Sequence, residues 1–192
     1  MANQSVTAKR DAHCNNSPAR AGETGMNDVV IRRATADDRD ALEALIEACY
    51  SAVYPGWYSD DILTDALPAM LRIDPALLNS GRYFAASVGG QLAGCGGWSV
   101  ATPGTGRIED ATGHIRHFAT HPDLMRGGVG GAILTACMAE ARRQGVRRLM
   151  CFSSRPAEKF YARHGFRRLE EVSVMLASDI AFPAVLMEKD LG

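Results

Sequence analysis

Hydrophobic positions follow two different periods along this chain, and the first third already shows both. The β-rich run from Val29 to Arg33 predicts a short strand. Thr35 and Asp38 have the spacing of a capping box, which predicts that a helix begins there. The apolar face of that helix is formed by Leu42, Leu45, Ile46 and Cys49. An irregular helical region follows from Ser59 to Leu78, and we expect Pro68 and Pro75 to break it.

The rest of the chain alternates predicted strands and helices. Two β-rich runs, Tyr83 to Val88 and Gln91 to Val100, flank Gly89-Gly90 and predict a hairpin. A loop rich in glycine and threonine follows, from Thr102 to Gly113. The later predicted elements are a strand from His114 to Thr120, a helix from Gly130 to Arg143, a strand from Val146 to Phe152, a helix from Ala157 to Arg163, and strands from Phe166 to Met175 and from Ala184 to Lys189. This order predicts an α/β fold.

A glycine-rich loop connects the strand ending at Thr120 to the following helix, and its sequence is Arg126-Gly127-Gly128-Val129-Gly130-Gly131. Backbone N–H groups at a helix start lack intrahelical partners and carry the positive end of the helix dipole. The loop therefore predicts a site for an anionic, phosphorylated ligand. The alternative is that the glycines only allow the helix to pack closely on the strand.

Two phosphate-binding motifs are excluded here. A Walker loop needs Gly-Lys followed by Ser or Thr, and a dinucleotide fingerprint needs a third glycine at Ile133. The loop instead resembles the pyrophosphate loop of the GNAT superfamily of N-acetyltransferases, which reads Gln or Arg, two residues, Gly, one residue, then Gly or Ala. Gly128 and Gly130 match the two small residues, Met125 replaces the usual Gln or Arg, and the adjacent Arg126 still supplies a positive charge.

A second segment strengthens the resemblance. Phe160-Tyr161 followed after three residues by Gly165-Phe166 is similar to another GNAT signature, a short helix that runs into a strand. Gly165 suits the position after a helix end, where a left-handed backbone is common. The alternative is that these aromatic residues only fill the core.

The resemblance implies a fold, a cofactor and most of a site. The expected fold of residues 26–192 is a mixed, mostly antiparallel sheet with splayed central strands, flanked by helices. Acetyl-CoA is the expected cofactor, with its pyrophosphate on the glycine-rich loop and its pantetheine arm along Phe118, Ala119 and Thr120. Ser154 stands where the family often has an asparagine that contacts the cofactor.

The implied chemistry assigns two catalytic residues. An amine attacks a thioester only when neutral, so the reaction needs a base or a desolvating pocket. The family's position for a base falls on His114, and Tyr161 is expected to protonate the leaving thiolate. A backbone N–H near Ala119 is expected to stabilise the developing oxyanion. Strand alternation places His114, Arg116 and Phe118 on one face, and Ile115, His117 and Ala119 on the other.

Three residues are candidates for binding the acceptor. Arg116 is a candidate for a substrate carboxylate, and the alternative is a surface ion pair with Glu109 or Asp110. Trp57 and Tyr58 belong to the aromatic segment from Tyr54 to Tyr58, which falls in the region that covers the acceptor site in the family. They are candidates for lining an amphipathic pocket, or else for anchoring a lid.

Composition limits the alternatives. The 192 residues are 46% hydrophobic with a formal charge of -1, which predicts one globular domain and argues against a nucleic-acid partner. Five scattered cysteines without C-x-x-C spacing indicate neither a disulfide framework nor a zinc site, and so a reducing cytoplasm is implied. Residues 1–25 are polar and predict a disordered tail; no stretch in them suggests a signal peptide or a membrane span.

The sequence therefore predicts an acetyl-CoA-dependent N-acetyltransferase. It would acetylate a primary amine of a small molecule or peptide by direct attack in a ternary complex. A non-catalytic acyl-CoA sensor is the alternative, because such a module would keep the glycine-rich loop yet need no base. A homodimer is compatible with either hypothesis.

Overall fold

The protein folds as a mixed sheet with helices on both faces, in a computed structural model that describes residues 28–176 and 180–192. The strands in those ranges are β1 (Val29–Arg33), β2 (Tyr83–Val88), β3 (Gln91–Ser99), β4 (Thr112–Thr120), β5 (Arg148–Ser153), β6 (Arg167–Met175) and β7 (Ala181–Asp190). The helices are α1 (Arg39–Val53), α2 (Asp60–Met70), α3 (Pro75–Asn79), α4 (Val129–Arg143) and α5 (Glu158–Arg163). The predicted tail, residues 1–25, lies outside the described residues.

The sheet has the order β1-β2-β3-β4-β5-β7-β6, and β4 and β5 are its parallel neighbours while the other pairs are antiparallel. The predicted α/β class and the mostly antiparallel sheet are therefore confirmed. Two predicted details change. Pro68 lies inside α2 without breaking it, and a third helix, α3, begins at Pro75. Pro68 is exposed and only two residues from the end of α2, so water can replace the hydrogen bond that its missing N–H would have made.

The central strands splay apart, as the resemblance implied. β4 and β5 pair only from Thr112↔Arg148 to His114↔Met150. β4 then continues for six more residues, about 20 Å of extended chain, without β5 as a partner. A cleft therefore opens between the carboxyl ends of two parallel strands, which is a common place for ligands in α/β folds.

Two hydrophobic clusters cover the two faces of the sheet. α1, α2 and α3 contribute buried side chains to one cluster, and its fully buried members include Leu42 and Ile46. α4 and α5 contribute to the other, together with Trp98 of β3. α4 lies very close to β3, because a Cβ on Gly94 would come within 2.7 Å of the Val129 side chain. This packing fixes the first turn of α4 beside the open end of the cleft.

Candidate functional site

A cavity of about 1020 Å³ occupies the cleft between β4 and β5. Its walls come from α1, the end of α2, β4, the first turn of α4, β5, α5 and β6. Nine of the ten predicted cofactor residues line it: Phe118, Ala119, Thr120, Arg126, Gly128, Val129, Gly130, Gly131 and Ser154. Gly127 does not, and its N–H instead donates to the Leu124 carbonyl at 3.3 Å.

The first turn of α4 presents bare backbone to this cavity. Gly128 is its N-cap residue with φ +84°, a left-handed conformation that glycine adopts without strain. A Cβ on Gly130 would lie 3.3 Å from the Phe160 ring, and one on Gly131 would lie 3.0 Å from Nε2 of His164. These neighbours leave little room for side chains, so the N–H groups of the helix start stay accessible. Met125 also lines the cavity and packs against the α1-side cluster, while Arg126 is exposed.

A β-bulge at His117 changes which side chains of β4 share a face. Gly97 pairs with Arg116 and Cys95 pairs with Ala119, so Gly96 faces two residues at once. His117 has φ +44°, and its carbonyl accepts a hydrogen bond from the Tyr83 hydroxyl at 3.2 Å. The bulge reverses the alternation that follows it.

The predicted alternation along β4 is therefore wrong beyond Arg116. Phe118 packs in the α4-side cluster with Ile115, whereas Ala119 packs in the α1-side cluster. The Phe118 ring can lie on this side because Gly96 has no side chain; a Cβ there would be 2.7 Å from the ring.

Tyr161 lies in the wall of the cavity with 4% of its surface exposed. Its ring makes edge-on contacts with Phe160, Phe166 and Phe118, at centroid distances of 5.0, 5.4 and 6.1 Å. Burial raises the pKa of Tyr161 well above its ordinary value, and the neighbouring Cys151 thiol acts in the same direction. The phenol therefore keeps its proton at physiological pH.

The two histidines of β4 occupy different environments. His114 is 4% exposed, its Nε2 lies 3.1 Å from the Thr102 hydroxyl, and it does not line the cavity. His117 does line it; its Nδ1, like that of His114, is buried with no hydrogen-bond partner among the described residues. Burial, with a smaller effect of Arg116, lowers the pKa of His117 to about 4. The imidazole facing the cavity is therefore neutral at physiological pH.

The aromatic residues predicted to bind the acceptor lie elsewhere. Trp57 is 51% exposed, and neither it nor Tyr58 lines the cavity. Tyr58 is buried, accepts a hydrogen bond from the Arg155 N–H at 2.8 Å and packs on Phe182. The structure thus gives Tyr58 a packing role, which corresponds to the anchoring alternative.

Residues outside the predicted site set also reach the cavity, and Tyr54 among them belongs to the aromatic segment that the sequence predicted to cover the acceptor site. Tyr50 and Tyr54 line it from α1, with their rings stacked 4.6 Å apart, and Ser154 lies beside the Tyr54 hydroxyl. Asp74, Lys159 and Arg163 line it as well. The only sequence signals for them were the Asp74-Pro75 helix start and the four-residue spacing of Lys159 and Arg163 on one helix.

The family of this chain is shown by comparison with known protein families. A sequence model of the acetyltransferase (GNAT) family matches residues 39–166, which contain both glycine signatures. The chain belongs to the GNAT acetyltransferase family. It is an N-acetyltransferase, and acetyl-CoA is its cofactor.

Solved structures agree with the fold of this acetyltransferase. An N-acetyltransferase from Rhodopseudomonas palustris is 20% identical with a TM-score of 0.67, over 88% of this chain and 99% of that one. The PaiA N-acetyltransferase from Thermoplasma acidophilum, solved with coenzyme A, is 15% identical with a TM-score of 0.64, over 85% and 99%. N-acetylglutamate synthase from Neisseria gonorrhoeae is 19% identical with a TM-score of 0.57, over 85% of this chain but 35% of that one.

Proposed function

We propose that this enzyme transfers the acetyl group of acetyl-CoA directly to a primary amine of a small molecule or peptide, with both bound together in the cleft. The observation that carries the proposal is the continuity of the cavity. It joins the bare helix start at Gly128 to the unpaired edge of β4, passes Tyr161, and extends to Asp74, which caps α3, and to Arg116 of β4. The T. acidophilum and N. gonorrhoeae relatives were solved with coenzyme A, which supports the same use of this cleft.

The residues of the cleft fit the cofactor. A pyrophosphate needs N–H donors and no side chain in its way, which is what Val129, Gly130 and Gly131 offer at the start of α4. Arg126 adds a positive charge beside them. The main chain of Phe118, Ala119 and Thr120 has no strand partner on the β5 side, so its polar groups are available to the amides of a pantetheine arm. Ser154 closes the opposite wall.

Acetyl-CoA supplies an activated thioester when bound. Three groups of the chain would then act on the reaction, namely His117, a backbone N–H and Tyr161. His117 replaces His114 in our proposal as the group that takes up the amine's proton, because it lines the cavity with an unprotonated ring; its low pKa makes it a relay that passes the proton on to water rather than a strong base. A backbone N–H beside the bulge, near Ala119, would stabilise the developing negative charge on oxygen. Tyr161 would donate its proton at the sulfur, and its burial keeps that proton in place.

Family membership favours this enzyme over an acyl-CoA sensor. We further propose a cytoplasmic location, because Cys49, Cys95, Cys137 and Cys151 are buried free thiols. Within the residues that the structure describes, no helix is long and apolar enough to cross a membrane.

An amine panel tests the proposed reaction. Thiol release from acetyl-CoA is measured with small primary amines and with peptides as acceptors. We expect release that depends on the amine and a product carrying one new acetyl group by mass spectrometry. Saturable binding of acetyl-CoA with no acetylated product from any amine would contradict the proposal and restore the sensor.

A further inference from the structure

Arg116 is a largely buried cation that lines the cavity, and no carboxylate of the described part of the chain pairs with it. Its Nη1 donates to the Ser99 hydroxyl at 3.2 Å. Within residues 28–176 and 180–192, no carboxylate oxygen lies within ion-pair distance of it. Glu109 pairs instead with Arg107 and Arg148, at 3.7 and 3.5 Å. The surface ion pair with Glu109 or Asp110, which the sequence left open, is therefore not formed.

A buried charge without a counter-ion is costly, and the cost is removed when an anion binds. A guanidinium offers five N–H donors in a planar fork that matches a carboxylate. Burial lowers the pKa of Arg116, and the charge of Asp74 opposes that shift. The group remains a cation at any physiological pH, because an arginine titrates only far above neutrality. Arg116 is therefore suited to bind an anionic ligand in the cavity.

The position of Arg116 on β4 indicates which ligand supplies the anion. Arg116 precedes Thr120 by four residues, at most about 13 Å of chain, because the bulge at His117 shortens the path. Thr120 lies at the end of β4 that leads into the phosphate-binding loop, and the Tyr161 ring contacts Phe118, which stands midway between Arg116 and Thr120. The cofactor phosphates would sit at the loop, so the anion that meets Arg116 belongs to the acceptor.

Asp74 provides the opposite charge on the same cavity. It caps α3 by accepting a hydrogen bond from the Ala76 N–H at Oδ1, 2.8 Å away, which leaves Oδ2 available. Its charge acts on both Arg116 and His117, yet its oxygens do not reach ion-pair distance from Arg116. A cation site and an anion site therefore line one space with a gap between them. This arrangement suits a ligand carrying both charges and disfavours a doubly charged phosphate, because Asp74 would repel it.

We propose that the acceptor is a primary amine that also carries a carboxylate, of the α-amino acid class, with its carboxylate on Arg116 and its ammonium group directed towards Asp74. The inference rests on the proposed acetyl transfer. Val53, Met70 and Met175 line the same cavity. Their apolar side chains make amino acids with apolar side chains the first probes.

The test compares each apolar amino acid with its carboxamide and with the amine that lacks the carboxyl group. For leucine these are L-leucine, L-leucinamide and 3-methylbutylamine. We expect the best acceptor of the whole panel to be a free amino acid, with kcat/KM about tenfold to a hundredfold above its carboxamide. A carboxamide or a simple amine as the best acceptor would overturn the proposal. That outcome would leave acetyl transfer intact, whereas no acetylation at all would refute the transferase itself.

Variants of Arg116 assign the effect to this residue. Arg116→Gln should raise KM for the preferred amino acid about tenfold to a hundredfold and leave KM for the matching simple amine unchanged. Arg116→Lys keeps the charge but loses the planar fork of N–H donors, so its KM for the preferred amino acid should lie between those of the parent and Arg116→Gln. Arg107→Gln removes the same charge from an exposed loop position and serves as the control.

Binding without turnover gives an independent readout. The preferred amino acid is titrated calorimetrically into each folded variant saturated with coenzyme A. We expect the parent and Arg107→Gln to bind the amino acid with the same affinity. In Arg116→Gln the affinity should fall by the same factor by which KM rises. Equal affinity in the parent and in Arg116→Gln would overturn the assignment.

Discussion

Gly130 offers the sharpest test of the cofactor site, because a substitution there places a charge directly at the start of α4. A Cβ at this position would lie 3.3 Å from the Phe160 ring and 3.5 Å from the Thr120 hydroxyl, so a small shift of the ring accommodates it. Without ligand, Gly130→Asp should be as stable as the parent. Glycine is a poor helix residue, and a carboxylate in the first turn of α4 is favoured by the helix dipole, by about 0.3–1 kcal/mol.

The effect on the cofactor should be large. A carboxylate about 5 Å from a phosphate charge costs about 3 kcal/mol at an effective dielectric constant of about 20. That cost corresponds to roughly a 150-fold loss of affinity. Acetyl-CoA at about 100 times the parent's Kd should stabilise the parent by about 2.7 kcal/mol and the variant by about 0.3 kcal/mol. For a protein of this size the Tm shifts are about 5–10 °C and about 1 °C.

The assay is thermal unfolding with and without acetyl-CoA, for the parent and three variants. Gly130→Ala adds the Cβ without the charge and should keep most of the shift. Ala139→Asp adds the charge on an exposed position of α4, nine residues or about 13 Å further along the helix, and should keep all of it. A full Tm shift in a folded Gly130→Asp variant would refute the assignment of the phosphates to this helix start.

Three further predictions follow from Tyr161, His114 and His117. Tyr161→Phe should lower kcat by about tenfold to a thousandfold while the Kd for acetyl-CoA stays within about twofold, and an unchanged kcat would remove Tyr161 as the proton donor. His114→Ala should leave the pH dependence of kcat/KM unchanged because the ring does not line the cavity, and the loss of an acid limb in this variant would restore His114 as the base. The pKa of His117 is about 4 when folded and near 6.5 when unfolded, so the unfolded chain binds the extra proton and stability falls as pH drops through this window, by about 2 kcal/mol at pH 5. His117→Asn, which tolerates positive φ, should lose this acid sensitivity in denaturant titrations at pH 7 and pH 5, and parallel losses in parent and variant would contradict it.

The glycine-rich loop was predictable because its chemistry is local. Gly128 needs a left-handed backbone and Gly130 needs space, and both requirements are visible as residue types at fixed spacing. The splay of β4 from β5 followed from the resemblance and was confirmed by their short pairing. No periodicity in the sequence could have shown it, because nothing in the residue pattern of either strand marks where their pairing ends.

The bulge at His117 was not predictable from β4 alone. It depends on Gly96 of the neighbouring strand, which leaves room for the Phe118 ring, and on the Tyr83 hydroxyl that binds the His117 carbonyl. Both partners are distant along the chain. The missed bulge explains why strand alternation placed Phe118 on the wrong face.

The positions of the aromatic residues in α1 and in the turn after it were also not fully predictable from the sequence. The family resemblance and the aromatic residue types favoured the segment from Tyr54 to Tyr58 for the acceptor pocket, whereas of its three aromatic residues only Tyr54 lines the cavity, together with Tyr50 of α1. The Tyr58 ring contacts the edge of Tyr54 and packs against Phe182. Which face of the pocket each ring occupies depends on tertiary packing that the residue types do not reveal.

The most direct test of the account is a crystal structure of the protein with coenzyme A. We expect the pyrophosphate to accept hydrogen bonds from the N–H groups of Val129, Gly130 and Gly131, the pantetheine arm to lie between β4 and β5, and the sulfur to lie within hydrogen-bond reach of the Tyr161 hydroxyl. A pyrophosphate bound away from the start of α4, or a sulfur out of reach of Tyr161, would contradict it.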